Sequence, residues 1–311
     1  MNTSPQYRGR FAPSPTGPLH FGSLVAALGS FLDARRHGGR WLVRMEDLDP
    51  PREMPGAGTR ILRTLEAYGL EWDEAVEYQS RRSVLYEAAL AKLERDGYLY
   101  GCACTRREIA DSSNGPDHSA VYPGTCRNGL PPGRHARAVR VRVHDTIIHE
   151  TDLLQGMVSQ ALGQEVGDFV LRRADGLFAY QLAVVVDDAE QRISHVVRGA
   201  DLLGSTPRQV YLQQLLGYHT PAYLHLPIAV NAGQEKLGKQ TFAPEIQSTQ
   251  VVATLLQALT FLNQPLPDSA RDARPAELLQ WASAHWDRHL LPARRQLTAP
   301  KIFQQALPAR L

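Results

Sequence analysis

The sequence predicts an α/β fold carried by a parallel sheet. Two observations point there. Short apolar runs alternate with helical apolar stripes through the first hundred residues, the pattern of a parallel sheet with crossover helices. The composition, 43% hydrophobic and 21% charged, is that of an ordinary globular protein. A length of 311 residues suggests about two domains at ~150 residues each. Together these values exclude a disordered chain, a collagen or coiled coil, and a disulfide scaffold. The net charge of +2 is too small to announce a nucleic-acid partner by itself. Only four of the 34 basic residues are lysines, Lys92, Lys236, Lys239 and Lys301, so the close pair Lys236 and Lys239 stands out.

The elements follow in order. A short strand over Tyr7 to Ala12 leads into the Pro- and Gly-rich turn 13–18. A helix then starts near His20 or Phe21 and runs to about His37, where Gly38-Gly39 stops it. Leu24, Leu28, Phe31 and Leu32 give that helix its apolar stripe. Trp41 to Met45 reads as a buried strand ending in the acidic run Glu46-Asp47-Leu48-Asp49, and helices follow around Arg60 to Tyr68 and Ser83 to Arg95. Residues 101–167 change character: they are turn-rich, hold all the cysteines and show only one clear strand, Val139 to Val143. They read as an insertion with its own small core. The α/β pattern resumes with Asp168 to Leu171 and Leu177 to Val186. A helix follows Ser205-Thr206-Pro207, with a cap at Ser205 or Thr206 and Pro207 at its first position. After a strand over Leu226 to Val230 comes the loop with Lys236 and Lys239, and beyond it only helices, around Thr249 to Leu262 and Ala276 to Trp286.

The expected organisation is a catalytic domain over 1–100 and 168–240, the insertion over 101–167, and a helical part over 241–311. The polar start of the chain lacks the apolar core of a signal peptide. The uncharged stretch 248–267 is too interrupted for a membrane span. A cytoplasmic monomer with no membrane partner is the expectation. Three cysteines, an odd number, argue against a disulfide framework.

A strand entering a helix through small residues is a good place to hold phosphate, because free N–H groups and the positive end of the helix dipole face outward there. Gly22 lets a nucleotide approach the helix, and His20 offers an imidazole donor. The string from Arg10 to Leu24, RFAPSPTGPLHFGSL, closely resembles the first signature of glutamyl- and glutaminyl-type class I aminoacyl-tRNA synthetases, with His20-Phe21-Gly22-Ser23 at the family's HIGH tetrad. More than 200 residues later, Lys236-Leu237-Gly238-Lys239-Gln240 resembles the family's KMSKS loop, departing from it at Gly238 and Gln240. The resemblance covers about residues 7 to 240 and implies a Rossmann-type catalytic core. It makes His20 and Lys239 the catalytic residues, and His20, Gly22, Lys236 and Lys239 the ATP site, with ATP and Mg2+ as substrate. The reaction it implies is attack of a carboxylate on the α-phosphorus of ATP. The attacking group is already ionised, so positioning and charge stabilisation suffice.

Glutamate carries one ammonium and two carboxylates, so its pocket needs an anion and preferably two cations, and arginine forks suit carboxylates. The resemblance places Arg10, Phe11, Ala12, Pro13, Ser14, Glu46, Tyr180 and Arg198 at the amino-acid pocket. Glu46 suits the ammonium, Arg10 and Arg198 the carboxylates in either assignment, and Tyr180 a directed hydrogen bond. Two arginines favour glutamate over its neutral amide.

Cys102, Cys104 and Cys126 lie in one short stretch, and zinc commonly takes four Cys or His ligands. From the residues alone His118 is the default fourth ligand. The chain is also similar to glutamyl-Q tRNA(Asp) synthetases, whose insertion binds zinc through C-x-C and Y-x-x-x-C. That implies one structural Zn2+ on Cys102, Cys104, Tyr122 and Cys126, and leaves His118 open. Only 71 residues follow Gln240, too few for the anticodon-binding region of a discriminating glutamyl-tRNA synthetase. The family then implies glutamate activation without tRNA and transfer of glutamate to the queuosine at the wobble position of tRNA(Asp). The alternatives are a truncated glutamyl-tRNA synthetase acting on a tRNA 3′ end and an inactive tRNA-binding paralogue.

Overall fold

A computed structural model describes residues 6–105, 107–109, 121–238, 241, 243–268 and 272–304. His118, Lys239 and Gln240 lie outside the described residues.

The catalytic layer starts with β1 (Arg8–Phe11), which runs parallel to β2 (Arg40–Met45), itself parallel to β3 (Glu77–Tyr78). Helix α1 (Phe21–Arg36) makes the crossover from β1 to β2. It ends where Gly38 takes a φ of 62°. At Gly39 a Cβ would lie 2.5 Å from the Tyr7 carbonyl oxygen, so only glycine lets the returning chain press against β1. On the other flank of β1 the Ser194 amide donates to the Arg8 carbonyl at 3.0 Å. This seats β9 (His195–Gly199) beside it, and β10 (Ala222–Leu226) runs parallel to β9.

Strand β2 shows why helices cover both faces. Trp41, Val43 and Met45 join an apolar cluster with α1 and the C-terminal helices, while Leu42 belongs to a second cluster. Alternation of period 2 on a strand buried on both sides requires two cores. The second core is built on the helix Ser83–Arg95 and on two later helices, Tyr180–Glu190 and Thr206–Leu216. The strand expected over 226–230 is split: β10 ends at Leu226, and β11 (Ile228–Val230) starts after Pro227, which has no N–H to give to a ladder.

The insertion holds more strand than its sequence announces. An antiparallel sheet of β4 (Leu99–Cys102), β5 (Ala138–Val141) and β8 (Val170–Arg172) is joined by a hairpin, β6 (Ile147–Asp152) with β7 (Gly156–Ala161). Only one face of the hairpin is partly covered, so its pattern is too polar to stand out. Helices Val251–Phe261 and Pro275–His285 follow the lysine loop as expected, but the tail is not purely helical: β12 (Gln296–Thr298) returns to pair in parallel with β11. Among the described residues no helix is long and apolar enough to cross a membrane.

Candidate active site

The C-terminal ends of β1, β2, β9 and β10 open onto one cavity of about 540 Å³, the place where parallel α/β sheets bind ligands. Every described residue expected for ATP or glutamate lines it: Arg10 to Ser14, His20, Gly22, Glu46, Tyr180, Arg198 and Lys236.

The turn after β1 is tied to the end of β2, where the Glu46 amide donates to the Pro13 carbonyl at 3.0 Å. Ser14 is exposed at the rim. His20 caps α1: its Nδ1 accepts from the Ser23 amide at 3.4 Å, and Ser23 Oγ accepts from the His20 amide at 2.8 Å. This reciprocal cap orients the ring. Burial, assisted by the nearby Lys236 ammonium, pulls the imidazole down to about 4. His20 is therefore neutral near pH 7. With Nδ1 accepting, Nε2 carries the proton and is the donor. A Cβ at position 22 would sit 3.3 Å from that ring, so Gly22 makes room for His20 as well as for a ligand.

Below the turn lies a buried ion network. Arg10 gives Nε and Nη2 to Asp188 at 3.0 and 3.3 Å, and among the described residues its Nη1 has no hydrogen-bond partner. Fully buried Arg44 reaches Asp188 at 2.8 Å, Glu46 at 3.4 Å and Asp187 at 3.7 Å. Asp187 also accepts from Arg82 at 2.6 Å and from Gln79 at 2.8 Å. Burial acts against ionisation of Asp188, but Arg10 and Arg44 outweigh it and hold the carboxyl below its usual range. Glu46 has the opposite balance. Burial raises it to about 7, with Arg44 and Arg10 opposing and Asp188 and Asp187 adding to the rise. Glu46 is thereby poised to gain from an incoming cation.

Arg198 crosses the far wall. It donates through Nε to His225 Nε2 at 3.0 Å, through Nη2 to Thr206 Oγ1 at 2.9 Å, and through Nη1 to the Tyr180 hydroxyl at 3.4 Å. Lys236 follows β11 and pairs with Asp201 at the cavity edge, its side chain half exposed. Thr241 closes the described part of the lysine loop, accepting from the Gly238 amide at 2.9 Å.

The cysteines converge away from this cavity. The three thiol sulfurs lie within 4.8 Å of one another. Cys104 and Cys126 sulfurs are 3.6 Å apart, and the Tyr122 hydroxyl is 3.5 Å from the Cys102 sulfur and 3.8 Å from that of Cys104. A tetrahedral zinc with Zn–S of ~2.3 Å and Zn–O of ~2.0 Å spaces sulfurs by about 3.8 Å, and oxygen from sulfur by about 3.5 Å. The donor set fits a zinc-sized tetrahedral ion. The same spacing is far too wide for a disulfide.

The family model for class I tRNA synthetases (E and Q), catalytic domain, matches residues 6–255. A glutamyl-Q tRNA(Asp) synthetase from Dechloromonas aromatica (strain RCB) is 58% identical over 299 residues, covering 94% of this chain and 98% of the relative. The chain belongs to the glutamyl-Q tRNA(Asp) synthetase family of class I synthetases. A second relative of that name, from Thiobacillus denitrificans (strain ATCC 25259 / T1), is 58% identical over 292 residues, covering 94% of this chain and 97% of its own. Among solved structures, the glutamate-tRNA synthetase of Elizabethkingia anophelis is similar with a TM-score of 0.77 and 26% identity, over 93% of this chain and 67% of that one. The protein is a ligase of the aminoacyl-tRNA synthetase type.

The class I motifs do not reveal everything this site uses. Arg44, Asp187 and Asp188 build the floor, and Asp152, Thr206 and His225 the support behind Arg198. Paired acids in the apolar run 182–188 were a visible signal of a buried ion network, since buried carboxylates require partners. Nothing in the sequence near Asp152 or His225 gave a comparable signal.

Proposed function

We propose that the protein activates L-glutamate with ATP and Mg2+, without tRNA, and transfers the glutamyl group to the queuosine at the wobble position of tRNA(Asp). One observation carries the amino-acid part: Glu46, Arg10 and Arg198 line the same cavity as the His20 turn and Lys236. Glu46 takes the ammonium, and the two guanidinium groups take the carboxylates. The α-carboxylate attacks the α-phosphorus, forming a mixed anhydride as pyrophosphate leaves. Neutral His20 donates from Nε2, and Lys236 and Lys239 supply positive charge to the phosphates. A hydroxyl of the queuosine cyclopentenediol then attacks the carbonyl, and AMP departs. The acceptor is taken from the relatives named glutamyl-Q tRNA(Asp) synthetase. Zinc on Cys102, Cys104, Cys126 and Tyr122 pins the insertion.

The test is transfer of labelled glutamate to total tRNA with or without queuosine, repeated on tRNA lacking its 3′-terminal adenosine. Label confined to queuosine-containing tRNA(Asp), and retained after loss of that adenosine, is the expected result. Label on both pools that disappears with the adenosine assigns the enzyme to 3′-end acylation instead. No glutamate-dependent pyrophosphate exchange would leave an inactive tRNA-binding protein.

A further inference from the structure

A buried carboxylate and a buried imidazole stand directly behind the pocket and have no place in the reaction above. Asp152, at the end of β6, accepts from His225 Nδ1 at 2.6 Å, and both side chains are essentially without exposure. Its other oxygen takes the amides of Leu154 at 3.0 Å, Gln155 at 2.8 Å and His225 at 3.2 Å. Gln155 Nε2 in turn donates to the His225 carbonyl at 2.9 Å. The turn of the insertion's hairpin therefore grips β10 at His225, on main chain and ring alike.

The chemistry of the chain of contacts fixes its protons. A guanidinium only donates, so His225 Nε2, 3.0 Å from Arg198 Nε, must present a lone pair. The ring proton is then on Nδ1, where the Asp152 carboxylate accepts it. An imidazolium, or the other tautomer, would set N–H against N–H. Burial, aided by Arg198, holds His225 below its ordinary range despite Asp152, in keeping with a neutral ring.

We propose that Asp152 and His225 are a positioning pair for Arg198: the carboxylate sets the tautomer of His225, and the ring fixes Arg198 so that Nη1 meets a substrate carboxylate rather than an amide. Nε and Nη2 are spent on His225 and Thr206, and among the described residues Nη1 has only its long contact to Tyr180. The hairpin thereby sets glutamate affinity and the preference over glutamine. This inference rests on reading the cavity as the glutamate site.

Asp152→Asn tests it. The amide oxygen keeps the turn bonds, while the amide nitrogen faces Nδ1 and forces the proton onto Nε2, against Arg198. In pyrophosphate exchange the expected result is a glutamate KM raised about tenfold, the scale of one charge-assisted hydrogen bond. The ATP KM and kcat should stay within about twofold, and discrimination against glutamine should fall. In Asp152→Asn/His225→Gln, a glutamine that can turn its oxygen toward Arg198 should recover much of the lost affinity. An unchanged glutamate KM, a loss shared equally by ATP, or a double variant worse than both singles would overturn the pair. If Asp152→Asn does not fold, nitrogen-15 NMR of the unsubstituted enzyme decides: a His225 ring protonated on Nδ1 alone supports the pair, and any other state overturns it. Absence of glutamate-dependent exchange in the unsubstituted enzyme would bring down the reading of the cavity, whereas the ring tautomer reports on the pair separately.

Discussion

Arg44 lies under Glu46, its Nη2 3.4 Å from Glu46 Oε1, yet the carboxyl is held at about 7 because burial outweighs that charge. The guanidinium is shared among Asp188, Asp187 and Glu46, and Asp188 holds it closest. Glu46 is thus left short of positive charge until a ligand brings some.

The pH dependence of glutamate use follows with a definite sign. An incoming ammonium favours ionised Glu46, so binding pulls its proton off. Above about pH 7 the carboxylate is ready and glutamate KM is flat. Below it the carboxyl is protonated, and KM rises by up to about tenfold per pH unit. Glu46→Gln should raise KM roughly 10–100-fold and flatten the profile. A wild-type KM constant from about pH 5.5 to 8.5 would remove Glu46 as the ammonium partner.

The two loop lysines should contribute unequally. Lys236 already pairs with Asp201 and is half exposed, so part of its charge is satisfied before ATP arrives. Lys236→Ala should slow adenylate formation by no more than about tenfold. Lys239 stands at the second lysine of the KMSKS-like segment, and Lys239→Ala should cost roughly 10²–10³-fold. Near-normal pyrophosphate exchange in Lys239→Ala would take that residue out of the mechanism.

The metal prediction concerns the fourth ligand. The Tyr122 hydroxyl sits at ligand spacing from Cys102 and Cys104 and also accepts from the Cys126 amide at 2.9 Å. Protein purified without chelator should hold about one zinc per chain, as a tetrahedral structural site requires. Tyr122→Phe should weaken zinc binding at least about tenfold, and His118→Ala should leave it intact. The reverse pattern would give the site to His118.

What could be read in the sequence was local. The residues from Arg10 to Leu24 form one contiguous string, and helix Ser83–Arg95 shows its stripe within a single element. What could not be read joins distant segments. Asp152 meets His225 across 73 positions and Arg10 meets Asp188 across 178. No periodicity reports such pairings: the acids in the apolar run 182–188 announce buried charge but not the residue that meets it, and Asp152 and His225 are ordinary polar residues until the fold buries both. The residues expected to line the cavity follow motif spacing; the residues that hold them answer to three-dimensional charge balance.

Asp33 makes the same point for stability and supplies the last prediction. It lies fully buried within α1 and accepts from the Tyr7 hydroxyl, from Trp286 Nε1 at 2.9 Å and from Arg288 at 2.6 and 2.8 Å. The last two partners belong to the C-terminal part, so this carboxylate fastens it to the catalytic layer. Burial works against its charge, but Arg288, Tyr7 and Trp286 prevail and hold it below the ordinary carboxylate range. A depressed folded value contributes stability fully present above the unfolded pKa of ~3.9 and lost as pH falls through the folded one. Asp33→Asn should therefore cost about 2–3 kcal/mol near pH 7, below the full penalty for breaking a buried pair because Arg288 keeps some solvent access. Urea unfolding of both proteins across the acid range measures it. The gap between them should narrow below about pH 4; a gap that stayed constant would assign the loss to packing instead of charge.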